Sequence, residues 1–125
     1  MREVIHTKNA PQAVGPYSQA IKANGFIFVS GQVAIDPATQ HVIAGDVKAQ
    51  TDLILRNLAQ ILEAAGSTMA KAVRCVVFLK NMNDFAAMNE VYGKHFSSAA
   101  PARTTVEVAR LPKDVLVEID VIALE

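Results

Sequence analysis

The 125 residues carry twelve Lys and Arg against twelve Asp and Glu, so the formal net charge is zero, and no block of like charge occurs along the chain. That balance excludes the basic surface expected of a nucleic-acid binder, and a content of 51% hydrophobic and 19% charged residues excludes a disordered segment. The length predicts one domain with one core over residues 1–125, because chains of about 100–150 residues bury roughly two-thirds of their unfolded surface.

Taken in order, Arg2 to His6 is β-prone and predicts a short first strand, and Thr7 to Gly15 a loop. In Gly15-Pro16-Tyr17-Ser18-Gln19 the proline fixes φ and extends the preceding glycine, which holds Tyr17 in a defined direction, either as a packed loop anchor or as a ring lining a pocket. Ala20 to Ala23 and Phe26 to Gln32 read as two strands around Asn24-Gly25, the dipeptide most suited to a two-residue hairpin. Period two places Phe26, Phe28 and Ser30 on one face of the second strand and Ile27, Val29 and Gly31 on the other.

Asp36 to Gly45 predicts a loop, and Asp46 caps a helix whose apolar residues recur at helical spacing until Gly66. Lys48, Gln50, Asp52, Arg56, Gln60 and Glu63 read as its solvated face. Ala70 to Lys80 is a strand apolar on both sides, hence central. Cys75 within it reads as a small apolar strand residue. As the single cysteine, it excludes an internal disulfide and fits a reducing compartment. No apolar run approaches the roughly 18 residues of a membrane span, and the N-terminus lacks a signal-peptide core, so the expected location is the cytoplasm.

Asn81 or Asn83 caps a second helix through Phe85, Ala86, Met88, Asn89, Tyr92 and Phe96, with Asn89 on or near the buried stripe. A polar residue there needs a partner, in the protein or in a ligand. Thr104 to Val108 and Val115 to Leu124 read as strands joined by a turn at Leu111 to Asp114, a hairpin-like unit with Arg103 at its mouth and Glu118 near the middle. The order β, ββ, α, β, α, ββ predicts an α+β domain with two helices on one face of a sheet. The other face is bare unless a ligand or another subunit covers it, and zero net charge offers little repulsion between copies, so an oligomer is expected.

His6, His41 and His95 form no metal-ligand pattern, no glycine loop cradles a phosphate, and no histidine stands near Ser30, Thr104 or Thr105 to activate a hydroxyl. Arg103 and Glu118 remain. An arginine stiffened on its N-terminal side by Pro101 can present a planar fork to a small carboxylate, and a half-buried Glu118 can hold and deprotonate a water. Equally open at this point, the two pair as a salt bridge across neighbouring strands or face solvent at an edge.

NAPQAVGPYSQAI at 9–21, VSGQ at 29–32, NDFAAMNEVYGKHF at 83–96 and PARTTVEVARLPKDVLVEI at 101–119 together resemble the RidA (YjgF) family of reactive-intermediate deaminases, nearly from end to end. The resemblance implies a chorismate-mutase-like α+β fold with a mixed sheet, assembled as a homotrimer with three intersubunit clefts. It implies hydrolysis of 2-imino acids or their enamines, such as 2-iminobutanoate and 2-iminopropanoate, to 2-ketoacids and ammonia, which protects pyridoxal-phosphate enzymes from damage. No cofactor, metal, nucleic acid or membrane is implied.

By position, the resemblance makes Arg103 the carboxylate-binding arginine, Glu118 the acid that places the attacking water, and Tyr17 a substrate-contacting tyrosine. Ser30 and Gly31 fall on the strand lining the cleft, and Asn89 on the helix facing it. Thr105 stands where many members carry cysteine, a departure that removes any thiol chemistry but spares contacts made by backbone groups. Two further readings stay open: a non-enzymatic, regulatory trimer that binds 2-ketoacids, and a ribonuclease or translation inhibitor, which the balanced charge disfavours.

Overall fold

The computed structural model describes residues 2–125. Its strands are β1 (Arg2–Ile5), β2 (Ala20–Ala23), β3 (Phe26–Gln32), β4 (Ile35–Asp36), β5 (His41–Val42), β6 (Ala72–Leu79), β7 (Ala102–Glu107) and β8 (Val117–Leu124), and its helices are α1 (Val47–Ala64) and α2 (Phe85–His95). Six strands form one sheet in the order β1-β2-β3-β8-β6-β7, and β4 and β5 form a separate two-stranded ribbon. Every neighbouring pair in the large sheet is antiparallel except β6 and β7, which run parallel. The sheet is mixed, and the fold is α+β.

Local chemistry accounts for the predicted boundaries. Asn24 and Gly25 both adopt positive φ, at 53° and 83°, as a tight hairpin whose twist matches its strands requires. Asp46 accepts a hydrogen bond from the Ala49 amide at 3.0 Å and caps α1. Gly66, at φ 83°, ends that helix, with its amide on the Glu63 carbonyl and the Ser67 amide on that of Leu62.

The core lies between α1 and one face of the sheet. Ile54, Leu55, Leu58, Ile61 and Leu62 of α1 meet Val117, Ile119, Val121 and Ala123 of β8, all fully or almost fully buried. Each such aliphatic chain contributes about 1.5–3 kcal/mol on leaving water. From α2, Met88, Tyr92 and Phe96 join the same cluster. The opposite face carries Phe26 and Phe28 on β3, Leu124 on β8 and Val106 on β7, each more than a third exposed. The bare apolar face expected from two helices on one side of the sheet is therefore present.

Several expectations need correction. Asp36 to Gly45 is not all loop, since it carries β5, and α2 starts after Asp84, with Asn81 capping only the short turn before it. The last two strands are not a hairpin: β8 inserts between β3 and β6, and β7 lies outside β6. The reason lies in the connections, since the crossover through α2 returns β7 parallel to β6, while β8, with four residues buried on one face, takes the better-covered interior place. Ser30 and Gly31 do not continue the alternation of β3, because the register against β8 shifts between Val29 and Gln32 and puts Gln32 inside. Gln50 is not solvated. It is buried, and its Oε1 accepts from the Leu116 amide at 3.0 Å, anchoring the approach to β8. Finally, Phe85 and Ala86 are exposed, and Val91 takes a buried place on α2.

Candidate functional site

Arg103 sits on the edge strand β7, in register with Cys75 of β6, and so faces the helix-covered side of the sheet. Its guanidinium lies 4.7 Å from the ring centroid of Tyr92 and 5.6 Å from that of Phe85, both on α2. Two aromatic faces hold a cation whose outer N–H groups stay free, an arrangement worth about 0.5–2 kcal/mol. No carboxylate pairs with Arg103 among the described residues. Two buried polar atoms lie on these same two elements without a hydrogen-bond partner, Asn89 Oδ1 and Thr105 Oγ1, while the Tyr92 hydroxyl faces the Cys75 thiol. Burial pushes the Tyr92 phenol well above its ordinary pKa, so it is a neutral hydroxyl. Cys75, in register with Arg103, is fully buried, and burial raises its thiol pKa too, which fits the inert strand residue expected of it.

Glu118 projects from the other face. In β8 it alternates with the buried Val117 and Ile119, and it stands beside Phe78 of β6. Its carboxyl group rests against Gly31, where a Cβ would lie 3.0 Å from Glu118 Cδ and nearer still to Oε2. Burial first, and the neighbouring Asp120 second, raise the pKa of Glu118 above the usual carboxylate value. Asp120 is raised by burial as well, and its Oδ1 accepts from the Val76 amide at 3.1 Å.

The loop carrying Tyr17 is tied to this side. The Ser30 hydroxyl donates to the Ser18 carbonyl at 2.7 Å, and the Ser30 amide donates to the Gln19 carbonyl at 3.0 Å. Tyr17 is 52% exposed, with its hydroxyl accepting from the Val14 amide at 3.3 Å. The hydroxyl thus ties the loop together while about half of the ring stays open.

The predicted site residues therefore fall into two groups within one chain. Arg103 and Thr105 on β7 and Asn89 on α2 belong to the helix-covered side, with Arg103 resting on the α2 rings, whereas Tyr17, Ser30, Gly31 and Glu118 gather at the bulged corner of β3 and β8. The salt bridge between Arg103 and Glu118 does not form, because β6 separates their strands and the two side chains leave the sheet on opposite faces. In the sequence, Phe85 and Tyr92 are members of an apolar stripe. Their spacing of seven, two helical turns, was the available signal that both rings could lie under one cation.

A mixed-sheet α+β domain with a free arginine on an aromatic platform and a raised-pKa carboxylic acid at a glycine bulge is the class that fold and site define. The family described as Endoribonuclease L-PSP matches residues 7–125, and the chain belongs to it, the YjgF/RidA family. A RutC family protein of Pyrococcus horikoshii is 56% identical over 123 residues, 98% of each chain. The 2-iminobutanoate/2-iminopropanoate deaminase of Mus musculus is 42% identical over 125 residues, covering 100% of this chain and 93% of that protein. Among solved structures, RidA from an Antarctic Psychrobacter superposes with a TM-score of 0.95 at 41% identity, over 98% of this chain and 99% of that one. Escherichia coli TdcF with bound serine gives a TM-score of 0.94 at 41% identity, over 98% of each chain.

Proposed function

We propose that the chain hydrolyses 2-imino acids of the 2-iminobutanoate and 2-iminopropanoate type, in clefts completed between copies of a homotrimer. The observation that carries this reading is Arg103, a cation held on Tyr92 and Phe85, with no carboxylate of its own and with Asn89 Oδ1 and Thr105 Oγ1 unpaired on the same elements. A substrate carboxylate gives the guanidinium two parallel charge-assisted hydrogen bonds. The protonated imine and its side groups give the buried oxygens the partners they lack.

The second group of residues supplies the water. Glu118, Gly31 and Tyr17 of a neighbouring copy close over the cleft when the apolar face with Phe26 and Phe28 is buried against that copy, since an exposed face of this kind marks an interface. Ionised Glu118 takes a proton from water as its oxygen attacks the iminium carbon. The C=N π pair moves to nitrogen and the proton passes to that amine; in the collapse of the tetrahedral intermediate Glu118 takes the hydroxyl proton as the C–N bond breaks, which releases ammonia and leaves the ketone. The iminium carbon is already electrophilic, so positioning and proton transfer suffice. The named activity of the mouse relative supports this substrate class. A single buried cysteine fits a reducing compartment, and we place the protein in the cytoplasm.

A second reading, a cleft that holds a small carboxylate without turnover, draws on the relative solved with bound serine. Both readings are separated by one experiment. With 2-iminobutanoate generated in the cuvette by a threonine dehydratase, the wild type is expected to accelerate ketoacid release, and Arg103→Ala to lose roughly 10- to 100-fold, the worth of a bidentate charged contact. Equal rates for the two proteins sink the deaminase. Ketoacid binding that needs Arg103, without acceleration, selects the second reading. An RNA-cleavage control addresses the family's description, against which the zero net charge weighs.

A further inference from the structure

On the helix side of the sheet, the loop at Lys8 and Asn9, the β4–β5 turn and the flank of α1 border an open concavity of about 740 Å3. Small-molecule sites span roughly 300–1,000 Å3. Neither Arg103 nor Glu118 contributes to its wall.

Asn57 contributes a fixed amide to its wall. This wall residue is only 2% exposed, and its Nδ2 donates to the Ile35 carbonyl at 2.9 Å. That bond fixes the amide, and Oδ1 takes no hydrogen bond among the described residues. Oδ1 is not among the fully buried unpaired atoms, so it is open to a donor from solvent or from a ligand in the concavity.

The charges around Asn57 are of both signs. Lys8 makes no ion pair among the described residues, and Arg56 spends only its Nε on Asp52 at 3.0 Å. Asp36 uses Oδ1 on the Ala38 amide at 2.8 Å and keeps Oδ2 free. Ile43, Leu53 and Ala59 complete the wall with apolar surface. A ligand that satisfies two cations, a carboxylate, an amide acceptor and an apolar patch is itself zwitterionic with an apolar tail.

We propose that this concavity is a second, non-catalytic site that binds a free apolar α-amino acid. Its carboxylate meets Lys8 and Arg56, its ammonium meets Asp36 and Asn57 Oδ1, and its side chain lies on Ile43, Leu53 and Ala59. A ligand carrying one of the two charges makes only half of these contacts and binds more weakly. No covalent step is involved, and the proposal stands independently of the imine reaction.

The test titrates the full chain with L-valine, isobutylamine and isovalerate, following backbone amide shifts by NMR in the wild type and in Arg103→Ala, which removes the other candidate carboxylate site. Expected are shifts at Ile35, Asn57 and Gln60 with L-valine in both proteins, and affinities weaker by roughly tenfold for each singly charged analogue. Lys8→Ala and Arg56→Ala, both at exposed positions, are expected to weaken L-valine by a similar factor without unfolding the chain. Asn57→Asp and Asn57→Ala both remove the Nδ2 donor to the Ile35 carbonyl, so each is read only alongside Lys8→Ala. Absence of shifts up to about 20 mM L-valine, binding unchanged in both Lys8→Ala and Arg56→Ala, or isovalerate binding as tightly as L-valine overturns the proposal.

Discussion

The carboxyl group of Glu118 occupies the space in front of Gly31 that a side chain there would need. Gly31 lacks the positive φ that would demand glycine, so its role is to leave room rather than to bend. Gly31→Ala is expected to push Glu118 aside while the strand survives. Imine hydrolysis should fall about tenfold or more, the usual cost of misplacing a reacting group by an ångström, with a much smaller change in thermal unfolding. A variant as active as the wild type would remove the placement of Glu118 from the chemistry.

Because the two groups of site residues lie on opposite faces of one sheet, a cleft between copies predicts complementation. Arg103→Ala and Glu118→Ala, each strongly impaired alone, are mixed, unfolded and refolded together. Random assembly then gives about one cleft in four an intact Arg103 from one subunit and an intact Glu118 from its neighbour. Recovered activity near about a quarter of the wild type is expected in the kinetic assay. A mixture no better than its parts would place the whole site within one chain.

The pH dependence has a definite sign. Burial raises the pKa of Glu118, with Asp120 adding to it, and burial raises Asp120 itself. A carboxyl raised on folding binds its proton more tightly in the native state. Its contribution to stability is therefore present below the unfolded value, near about 4, and is lost as pH rises through the folded value. Denaturant unfolding at a series of pH values should show Glu118→Gln flattening that decline. In the rate profile, the acid limb of kcat/KM should sit above the ordinary carboxylate range and vanish in Glu118→Gln. A limb that stays in place would assign it to another group.

His95 and Asp52 tie the two helices together, Nε2 to Oδ1 at 2.9 Å. The hydrogen bond from His95 leads the causes that hold the Asp52 carboxyl below its usual pKa, with Arg56 adding to it. A depressed carboxyl stabilises above its unfolded pKa and loses that contribution as pH falls through the folded value. Asp52 is nearly half exposed, so screening limits the pair to about 0.2–1 kcal/mol. Asp52→Asn should lower the unfolding temperature by a few degrees at neutral pH, about 4 °C at most, and by less near pH 3. Equal losses at both pH values would show that the effect is steric rather than ionic.

Much of the fold could be read along the chain because its signals are local. The Asn24-Gly25 turn, the Asp46 cap, the Gly66 stop and the period of α1 each need only a few neighbouring residues. Asn89 was suspect for the same kind of reason, a polar residue on an apolar helical stripe, and its Oδ1 is indeed buried and unpaired. The places that went otherwise depend on distant partners. Gln50 looks solvated until the Leu116 amide, 66 residues on, arrives to be bound. The shift between Val29 and Gln32 exists only against β8.

The amino-acid sequence by itself determined the element types, the α+β class, the absence of charge for a nucleic-acid surface and the candidacy of Arg103 and Glu118, since propensity, periodicity and residue chemistry are carried by short stretches. Tertiary structure decided where those two residues point. Strand order is set by which edges pair after the α2 crossover, and it placed β8 between β3 and β6 and left β7 at the edge. Two charges that looked like ends of one hairpin thereby became parts of two separate surfaces, one resting on Tyr92 and the other on Gly31.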